Sequence, residues 1–442
     1  TVYAYGMKHT KKYLQLYDTL YHDIQSGALQ PGQRLPSIRE LVRRSGLSQT
    51  TVEHTLALLQ EEGLVRTVPQ SGCFVSDIVP RNPARQTAPR SPAPVPVPLW
   101  NLQTNTIHPE LFDMKLWKRC LRETLEDSDG LASYGDSRGD RPLRTALTDY
   151  LYRLRRLRTD PDSILVGPSY QTLLFILTTL VGPRQTVAME HHAPVLARQA
   201  FEQAGWTILE LESDADGPLP EELKKSFDCL YLTTACTGTK KRALRARQDL
   251  YRNLFVIEDD YNGELTYVSG ARNALSSRLP QSVYIGSFSR VLLPSIRLSC
   301  MVLPPWLMKR FDPGLYAPMA SRIEQLALAR YISSGGLERH VRRLNRQYRH
   351  RCQTALSILE GYPVLLDEAY LCVEIAGWTL PPEFGCTRTA SGIRLSFASV
   401  ALDRLEPAFL AVRDALEPLD GTGRLPSGVE FQTGKTGGHA VG

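Results

Sequence analysis

The chain has 442 residues, of which 42% are hydrophobic and 22% charged, and its formal net charge is +6. This length allows two or three globular domains, and the mild positive charge permits an anionic partner without requiring one. No run of about twenty apolar residues predicts a membrane span, and the N-terminus lacks the apolar core of a signal peptide. The eight cysteines form no CxxC pair, so we expect no metal site or disulfide framework and a location in the reducing cytoplasm.

Residues 1–78 have the pattern of three helices followed by a β-hairpin. Apolar residues recur at helical spacing up to the turn-forming stretch SGALQPGQRL, and Ser37 and Ser48 are candidate N-caps of the second and third helices. The stretch LVRTVPQSGCFV alternates around a Ser-Gly turn, as a small hairpin does. Two helices joined by a tight glycine-containing turn and followed by a hairpin predict a winged helix-turn-helix.

The start of the predicted third helix is polar, which favours contact with the edges of DNA bases. The arginines and the serine that precede it are candidates for contact with phosphates. The residues that we expect at the DNA interface are Arg34, Ser37, Arg39, Ser48, Gln49, Thr50 and Thr51, with Arg43 and Arg44 as further phosphate contacts. Residues 1–78 contain eight Lys and Arg against seven Asp and Glu, so charge does not exclude the alternative, a helical protein-interaction module.

The stretch GALQPGQRLPSIRELVRRSGLSQTTVEHTLALLQEEGLVRTVPQSGCFV resembles the GntR-type winged helix over nearly its full length. The motif P-G-x-R-L-P-S-x-R-x-L within it is specific to that type of domain. The resemblance implies that double-stranded DNA is a partner. Gln49 stands where the family often has arginine, which implies a different base preference.

A proline-rich segment, VPRNPARQTAPRSPAPVPVP at 79–98, separates this head from a larger body at 99–418. Such a composition cannot form a packed core and predicts an extended, semi-rigid linker. Residues 419–442 are rich in Gly and Thr, which predicts a disordered tail.

The body alternates short apolar runs with helical patterns. The stretches FDCLYLTT, LFVIEDDYNGE, SVYIGSFS and RLSCMVLP are predicted strands, and stretches such as EELKKSF are predicted helices between them. This alternation predicts an α/β domain with a largely parallel sheet between helices. Ligands of such sheets bind at the carboxyl ends of the strands.

Polar side chains follow two of these strands, in EDDYNGE and in GSFSRVLLPSIRLSC. Adjacent carboxylates such as Asp259 and Asp260 repel each other unless a cation or a protonated ring nitrogen lies nearby. Hydroxyls and arginines in the second stretch suit a phosphate group. The two stretches together indicate a pyridinium phosphate. The alternatives are that the aspartates cap a turn and that Arg290 and Arg297 are solvated in a surface loop.

The stretches YGDSRGDRPLRTALTDYL, VIEDDYNGEL, GSFSRVLLPSIRLSCMVLP, GGLERHVRRLNRQYRHR and IRLSFAS resemble, in order and spacing, class I aminotransferases of fold type I. A GntR-type head joined by a proline-rich linker to such a body resembles the MocR regulators. This resemblance implies a fold-type I PLP-dependent transferase fold and a homodimer. It also implies a small effector, either pyridoxal phosphate or an amino compound.

The same resemblance implies roles for individual residues. Asp259 would pair with the pyridine nitrogen of pyridoxal 5'-phosphate, and Tyr261 would bond its ring hydroxyl. Arg394 would hold an effector carboxylate through two parallel hydrogen bonds. The phosphate would be held by Ser169, Ser287, Ser289 and Arg297.

One residue departs from the resemblance at its chemical centre. In the S-F-S-K-x-L-x-P pattern of the family, the lysine forms a Schiff base with the cofactor, and this chain has Arg290 in its place. A guanidinium stays protonated near neutral pH and its lone pairs are delocalised, so it cannot replace lysine as nucleophile or base. We therefore expect no transaminase activity and, at most, non-covalent binding of the cofactor.

Other departures fall around the same predicted pocket. Pro168 replaces a glycine of the phosphate turn and removes a backbone donor. The stretch MEHHAPV lacks the aromatic residue that stacks on the ring; His191 or His192 could substitute, or both could be solvated loop residues. The stretch TTACTGTKKRAL replaces a loop over the ring and adds Lys240 and Lys241.

Three interpretations of the body stay open: non-covalent binding of pyridoxal phosphate or its relatives, binding of another anionic effector with Arg290 as an extra cation, or dimerisation alone. The expected function is a DNA-binding transcriptional regulator, and the alternative is an active aminotransferase with a DNA-binding head. The basic stretch at 338–351 raises a third hypothesis, an oligomeric interaction protein. Its inward-facing Val341, Leu344 and Tyr348 predict instead a solvated helix packed on the body.

Overall fold

A computed structural model describes residues 12–77, 99–191, 193–214, 216–233, 247–268, 273–368, 370–389 and 391–418. The chain divides near residue 95 into two compact units, one N-terminal and one C-terminal. The predicted linker at 79–98 and the predicted tail at 419–442 lie outside the described residues. In the described parts of the chain, every helix is too short or too polar to span a bilayer.

The N-terminal unit has the predicted order of three helices and a hairpin. Its elements are α1 (Lys12–Ser26), α2 (Ile38–Ser45), α3 (Gln49–Glu61), β1 (Val65–Val68) and β2 (Gly72–Val75). The two strands are antiparallel, with Val65 opposite Val75. The winged helix-turn-helix that the sequence predicts is therefore confirmed.

The two helices of the helix-turn-helix begin at the predicted serine caps. The Ser37 hydroxyl accepts the backbone N–H of Glu40 at the start of α2, and the Ser48 hydroxyl accepts that of Thr51 at the start of α3. Gly46 ends α2 in the left-handed region, with φ 67°, where glycine carries no steric penalty. These caps satisfy helix-end N–H groups that otherwise have no partner inside the helix. The core between the helices includes Leu20, Ile24, Leu41, Val52, Leu56, Leu59 and Val75.

The C-terminal unit contains nine helices and fifteen strands in its described residues. The helices are α4 (Met114–Leu125), α5 (Ser128–Leu131), α6 (Arg141–Arg155), α7 (Tyr170–Val181), α8 (Val195–Gln203), α9 (Pro305–Met308), α10 (Arg322–Ser333), α11 (Gly336–Ile358) and α12 (Leu402–Ala415). The strands are β3 (Ile164–Gly167), β4 (Thr186–Glu190), β5 (Thr207–Leu211), β6 (Ser213–Asp214), β7 (Gly217–Pro218), β8 (Cys229–Thr233), β9 (Val256–Asp259), β10 (Ser282–Ser287), β11 (Ser299–Val302), β12 (Val364–Asp367), β13 (Cys372–Ala376), β14 (Trp378–Thr379), β15 (Thr387–Arg388), β16 (Gly392–Ser396) and β17 (Glu417–Pro418).

One predicted helix is wrong. The stretch EELKKSF forms only a short 3-10 turn at Glu222–Lys224. The stretch is shorter than two helical turns and offers only Leu223 and Phe227 to the core, so little packing offsets the cost of helix nucleation.

The large sheet has the strand order β3-β11-β10-β9-β8-β4-β5. Its strands are parallel except β11, which is antiparallel to both of its neighbours. The register places Ser299 between Gly167 and Ser287, and Asp259 between Ile285 and Thr233. The carboxyl ends of β3, β10, β9 and β8 thus meet at one edge, and the predicted α/β fold class is confirmed.

Helices cover both faces of the large sheet. Ile257 and Ile285 belong to the apolar cluster under α7 and α8, whereas Tyr284 and Cys300 belong to the cluster shared with α6 and α10. Because side chains alternate along a strand, Asp259 shares the α7–α8 face with Ile257.

A second sheet, with the order β12-β13-β16-β15, packs against α11 and α12. The predicted inward residues of α11, Val341, Leu344 and Tyr348, are buried. Arg342 and Arg346 on the same helix are exposed, as expected for a solvated helix packed on the body.

Candidate functional site

The first candidate site is the exposed start of α3 in the N-terminal unit. Gln49 and Thr50 are exposed, whereas Val52 faces the core. The Gln49 side-chain amide donates to Glu53 Oε1 over 2.8 Å. In a helix-turn-helix, these first residues of the second helix face the base edges of the major groove.

Three of the residues predicted to contact DNA have hydroxyls with partners at the start of their own helices. The Ser37 and Ser48 hydroxyls cap α2 and α3, and Ser48 Oγ lies 2.7 Å from Thr51 Oγ1. Their first role is therefore to fix where each helix begins.

The four arginines predicted to contact DNA divide into two groups. Arg43 and Arg44 both pair with Glu40, at 2.7 and 2.8 Å. Arg34 and Arg39 are exposed and make no ion pair within the described residues. These two side chains have the charge available for DNA phosphates.

The second candidate site lies at the carboxyl ends of the large sheet, where the adjacent acids of the EDD stretch have different environments. Asp260 receives two hydrogen bonds from the Arg155 guanidinium, at 2.6 and 2.7 Å, and one from the Tyr284 hydroxyl at 2.9 Å. Arg155 belongs to α6, so the protein itself supplies the cation that Asp260 needs beside a second acid. This residue stabilises the fold.

Asp259, the neighbouring acid, is the residue that the resemblance assigns to a ring nitrogen. It is buried at the end of β9, and the Tyr231 hydroxyl donates to its Oδ2 over 2.6 Å. Burial raises the pKa of Asp259 to about 7, against the lowering effect of that hydrogen bond. A protonated ring nitrogen beside this carboxyl group would favour its ionised form.

Arg290 is buried, which contradicts the alternative that it is solvated in a surface loop. Its side chain is 9% exposed, whereas Arg297 in the same stretch is exposed. Its Nε donates to the Tyr261 hydroxyl over 3.1 Å, and its Nη2 donates to the Thr104 carbonyl oxygen. The guanidinium therefore lies next to the residue that the resemblance assigns to the ring hydroxyl.

The predicted phosphate-binding side chains lie near this edge of the sheet. Ser287 ends β10 and accepts the Ser289 N–H over 3.4 Å, and Arg297 Nη1 lies 3.4 Å from Ser289 Oγ. Ser169 caps α7 by accepting the Thr172 N–H over 3.1 Å. Three hydroxyls, one exposed cation and a helix N-terminus suit an anionic group. We call Asp259, Tyr261, Ser287, Ser289 and Arg290 the strand-end site.

Arg394, which the resemblance assigns to an effector carboxylate, already has a carboxylate partner in the structure. It lies opposite Glu374 in the β13–β16 ladder, and its Nε contacts Glu374 Oε2 at 2.9 Å. Its guanidinium also lies 5.6 Å from the ring centre of Tyr370. An effector carboxylate at Arg394 would share the guanidinium with Glu374.

Sequence reasoning missed three tyrosines around the strand-end site. Tyr231 bonds Asp259, and the ring of Tyr370 lies 5.8 Å from that of Tyr261. Burial raises the pKa of Tyr170, and the charge of Asp259 adds to this shift, which places Tyr170 in the same group. Only Tyr170 carried a sequence signal, because it directly follows Ser169; the others lie far away along the chain.

Of the two histidines considered for ring stacking, the structure describes only His191. His191 is 75% exposed and its Nδ1 lies 3.0 Å from Glu210 Oε2, as expected of a solvated loop residue. His192, Lys240 and Lys241 lie outside the described residues.

Two buried polar atoms at this edge have no hydrogen-bonding partner in the described structure: Arg290 Nη1 and Ser299 Oγ. Buried polar groups in proteins are rarely left unsatisfied. Together with the Asp259 carboxyl and the serine hydroxyls, they form a set of polar groups that fits a phosphorylated pyridine. Asp259 would hold the ring nitrogen and the serines the phosphate, with no covalent bond from residue 290.

The winged helix with its polar recognition helix indicates a DNA-binding regulator, and the α/β unit joined to it has an aminotransferase-like fold with a candidate ligand site at its strand ends. Residues 12–75 match the family described as bacterial regulatory proteins, gntR family. The chain is 30% identical over 371 residues to an uncharacterised HTH-type transcriptional regulator, YhdI of Bacillus subtilis. That match covers 80% of this chain and 79% of YhdI.

A second relative is the HTH-type pyridoxine biosynthesis transcriptional regulator PdxR of Corynebacterium glutamicum. It is 26% identical over 362 residues, with 79% of each chain covered. In three dimensions the chain resembles a kynurenine aminotransferase of Pyrococcus horikoshii, with a TM-score of 0.58 and 20% identity over 71% of this chain and 90% of that one. This likeness shows the fold alone. The chain belongs to the MocR-type family of HTH-type transcriptional regulators.

Proposed function

We propose that this DNA-binding regulator uses its aminotransferase-like domain to bind a small anionic effector and to form a homodimer, without transaminase activity. One feature of the sequence supports the absence of activity: Arg290 stands where the resemblance to class I aminotransferases implies the Schiff-base lysine. A delocalised guanidinium neither attacks an aldehyde nor takes up the proton that transamination moves.

The proposed effector is pyridoxal 5'-phosphate or a phosphorylated relative, bound without a covalent link. The acid at Asp259, the three hydroxyls and the two unsatisfied donors support this class of ligand. Two comparisons agree with it. The P. horikoshii structure is described as a complex with PMP, and PdxR is named for pyridoxine biosynthesis.

A homodimer would place two heads on two half-sites of one operator, which is the usual arrangement for helix-turn-helix dimers. Large apolar side chains are exposed on the C-terminal unit, and a dimer interface would cover such side chains. They include Tyr134, Leu315 and Leu125.

The test combines DNA selection with an activity assay on the intact protein. Random duplex DNA selected by the protein should yield one enriched sequence with paired half-sites, and the double variant Arg39→Ala, Thr50→Ala should lose it. The same preparation, incubated with pyridoxal phosphate, an amino-acid panel and a keto acid, should show no transamination. Turnover above a protein-free control, together with no sequence-selective binding, would favour an aminotransferase with a DNA-binding head.

A further inference from the structure

Four arginines are buried in the parts of the chain that the structure describes. Three of them have a carboxylate partner, in the pairs Arg144–Asp136, Arg155–Asp260 and Arg351–Glu110. Arg290 makes no ion pair with any described residue, although its side chain is only 9% exposed. Among the buried arginines of the described residues, Arg290 alone has no carboxylate partner.

The hydrogen-bond partners of Arg290 among the described residues are uncharged. Its two hydrogen bonds go to the Tyr261 hydroxyl and to the Thr104 carbonyl oxygen, and Nη1 has no partner. The buried hydroxyl of Tyr348, which lies within electrostatic range of Arg290, also lacks a partner. The charge of Arg290 is thus balanced by no ion pair with a described residue, and one of its own N–H donors is unused.

A buried charge without a counter-ion is costly, because water no longer solvates it and no opposite charge replaces the water. A surface position would avoid this cost, so burial at the strand-end site needs a compensating interaction. An anionic ligand supplies one, since its negative oxygen would accept hydrogen bonds from Nη1. The lysine that this residue replaces in the family is neutral when it acts, and it has no such requirement.

We propose that Arg290 is the receptor for an anionic oxygen of the effector, and that the strand-end site selects phosphorylated pyridines bearing a carboxylate over those bearing a protonated amine. This inference rests on the proposed effector site and adds the chemical class of the group that faces Arg290. A carboxylate there completes an ion pair with the guanidinium, whereas an ammonium group meets a like charge.

Calorimetric titration of the intact protein tests the selectivity with three probes that differ at one carbon. They are pyridoxal 5'-phosphate, pyridoxamine 5'-phosphate and the analogue in which a carboxylate replaces the aldehyde. We expect the carboxylate to bind at least about tenfold more tightly than the amine, because one charge-assisted hydrogen bond is worth roughly that factor. An amine that binds as tightly as the carboxylate would overturn the proposal, and so would the failure of all three probes to bind.

Two variants separate the role of Arg290 from general attraction of anions. In Arg290→Met the preference for the carboxylate over the amine should fall to within about threefold, since the cation is gone and the stem is retained. In Arg297→Gln all three probes should weaken by a similar factor, because the phosphate is common to them. A preference that survives in Arg290→Met would contradict the assignment.

Operator binding by the same samples distinguishes a failure of the carboxylate preference from a failure of the proposed regulatory function. If the wild-type protein binds selected DNA but shows no ligand preference, the inference fails and the regulatory function stands. If it neither binds DNA selectively nor prefers the carboxylate, the proposed function fails with it. Thermal melting of each variant without ligand confirms that the comparison is made on folded protein.

Discussion

Replacing Arg290 with methionine should stabilise the ligand-free protein, whereas the same replacement at Arg155 should destabilise it. Both side chains are buried, at 9% and 3% exposure, and methionine retains most of the apolar stem of either one. They differ in their partners. Arg155 makes two hydrogen bonds to Asp260 and one of 2.8 Å to the Gly263 carbonyl oxygen, whereas the hydrogen bonds that Arg290 makes to described residues go to neutral oxygens.

The magnitudes follow from these contacts. Arg290→Met loses two hydrogen bonds of about 1 kcal/mol each, but it relieves a buried uncompensated charge that costs several kcal/mol. The net expectation is a gain of about 1–3 kcal/mol in the free energy of unfolding. Arg155→Met deprives the buried Asp260 of its cation, and breaking such a pair costs about 3–5 kcal/mol.

Calorimetry or thermal melting without ligand measures both effects. For a unit of about 320 residues, unfolding entropy of about 2.1 cal/mol/K per residue makes 1 kcal/mol worth about 1.5 °C. Arg290→Met should melt about 2–4 °C above the wild type and Arg155→Met about 4–8 °C below it. An Arg290→Met protein that melts well below the wild type would show that the guanidinium has an internal counter-ion, and would refute the reasoning.

Three further predictions concern the head and two titrating groups. Arg39→Ala should weaken binding to all DNA sequences and lower by about 1 the slope of the logarithm of the binding constant against the logarithm of salt concentration. Thr50→Ala should instead reduce the preference for the selected sequence, and gel shifts at several salt concentrations separate the two effects. Burial lowers the pKa of His340 from 6.5 to about 4, so the unfolded chain takes up a proton first as pH falls, and stability should drop by about 3 kcal/mol between pH 6.5 and 4. Denaturant titrations should show this drop in the wild type and a smaller one in His340→Gln; equal drops would contradict it. Burial raises the pKa of Asp259 to about 7, so stability should fall as pH rises from about 4 to 7, and Asp259→Asn should remove part of that fall in the same titrations.

The sequence predicted the N-terminal unit well because local signals determine it. Serine caps, a left-handed glycine and apolar residues at helical spacing each act within a few residues of the chain. Four strands of the large sheet, β8, β9, β10 and β11, were predictable from their apolar runs. The short EELKKSF stretch failed because tertiary packing, not local pattern, decides whether so brief a helix forms.

The partners within the strand-end site were less predictable, because they join distant parts of the chain. The pairing of Asp260 with Arg155 spans 105 positions, and no local pattern near Asp260 predicts it. Likewise, the Glu374 partner of Arg394 depends on the register of two strands. Sequence alone left even the burial of Arg290 undecided, since a loop arginine is usually solvated.

Borohydride reduction of the intact protein with pyridoxal 5'-phosphate, followed by mass analysis of its peptides, tests whether the domain forms a covalent bond with the cofactor. We expect that the wild-type protein carries no pyridoxyl group above a denatured control, and that Arg290→Lys gains one at residue 290. A stoichiometric pyridoxyl group on any lysine of the native wild-type protein would contradict the claim that this domain has lost its covalent chemistry.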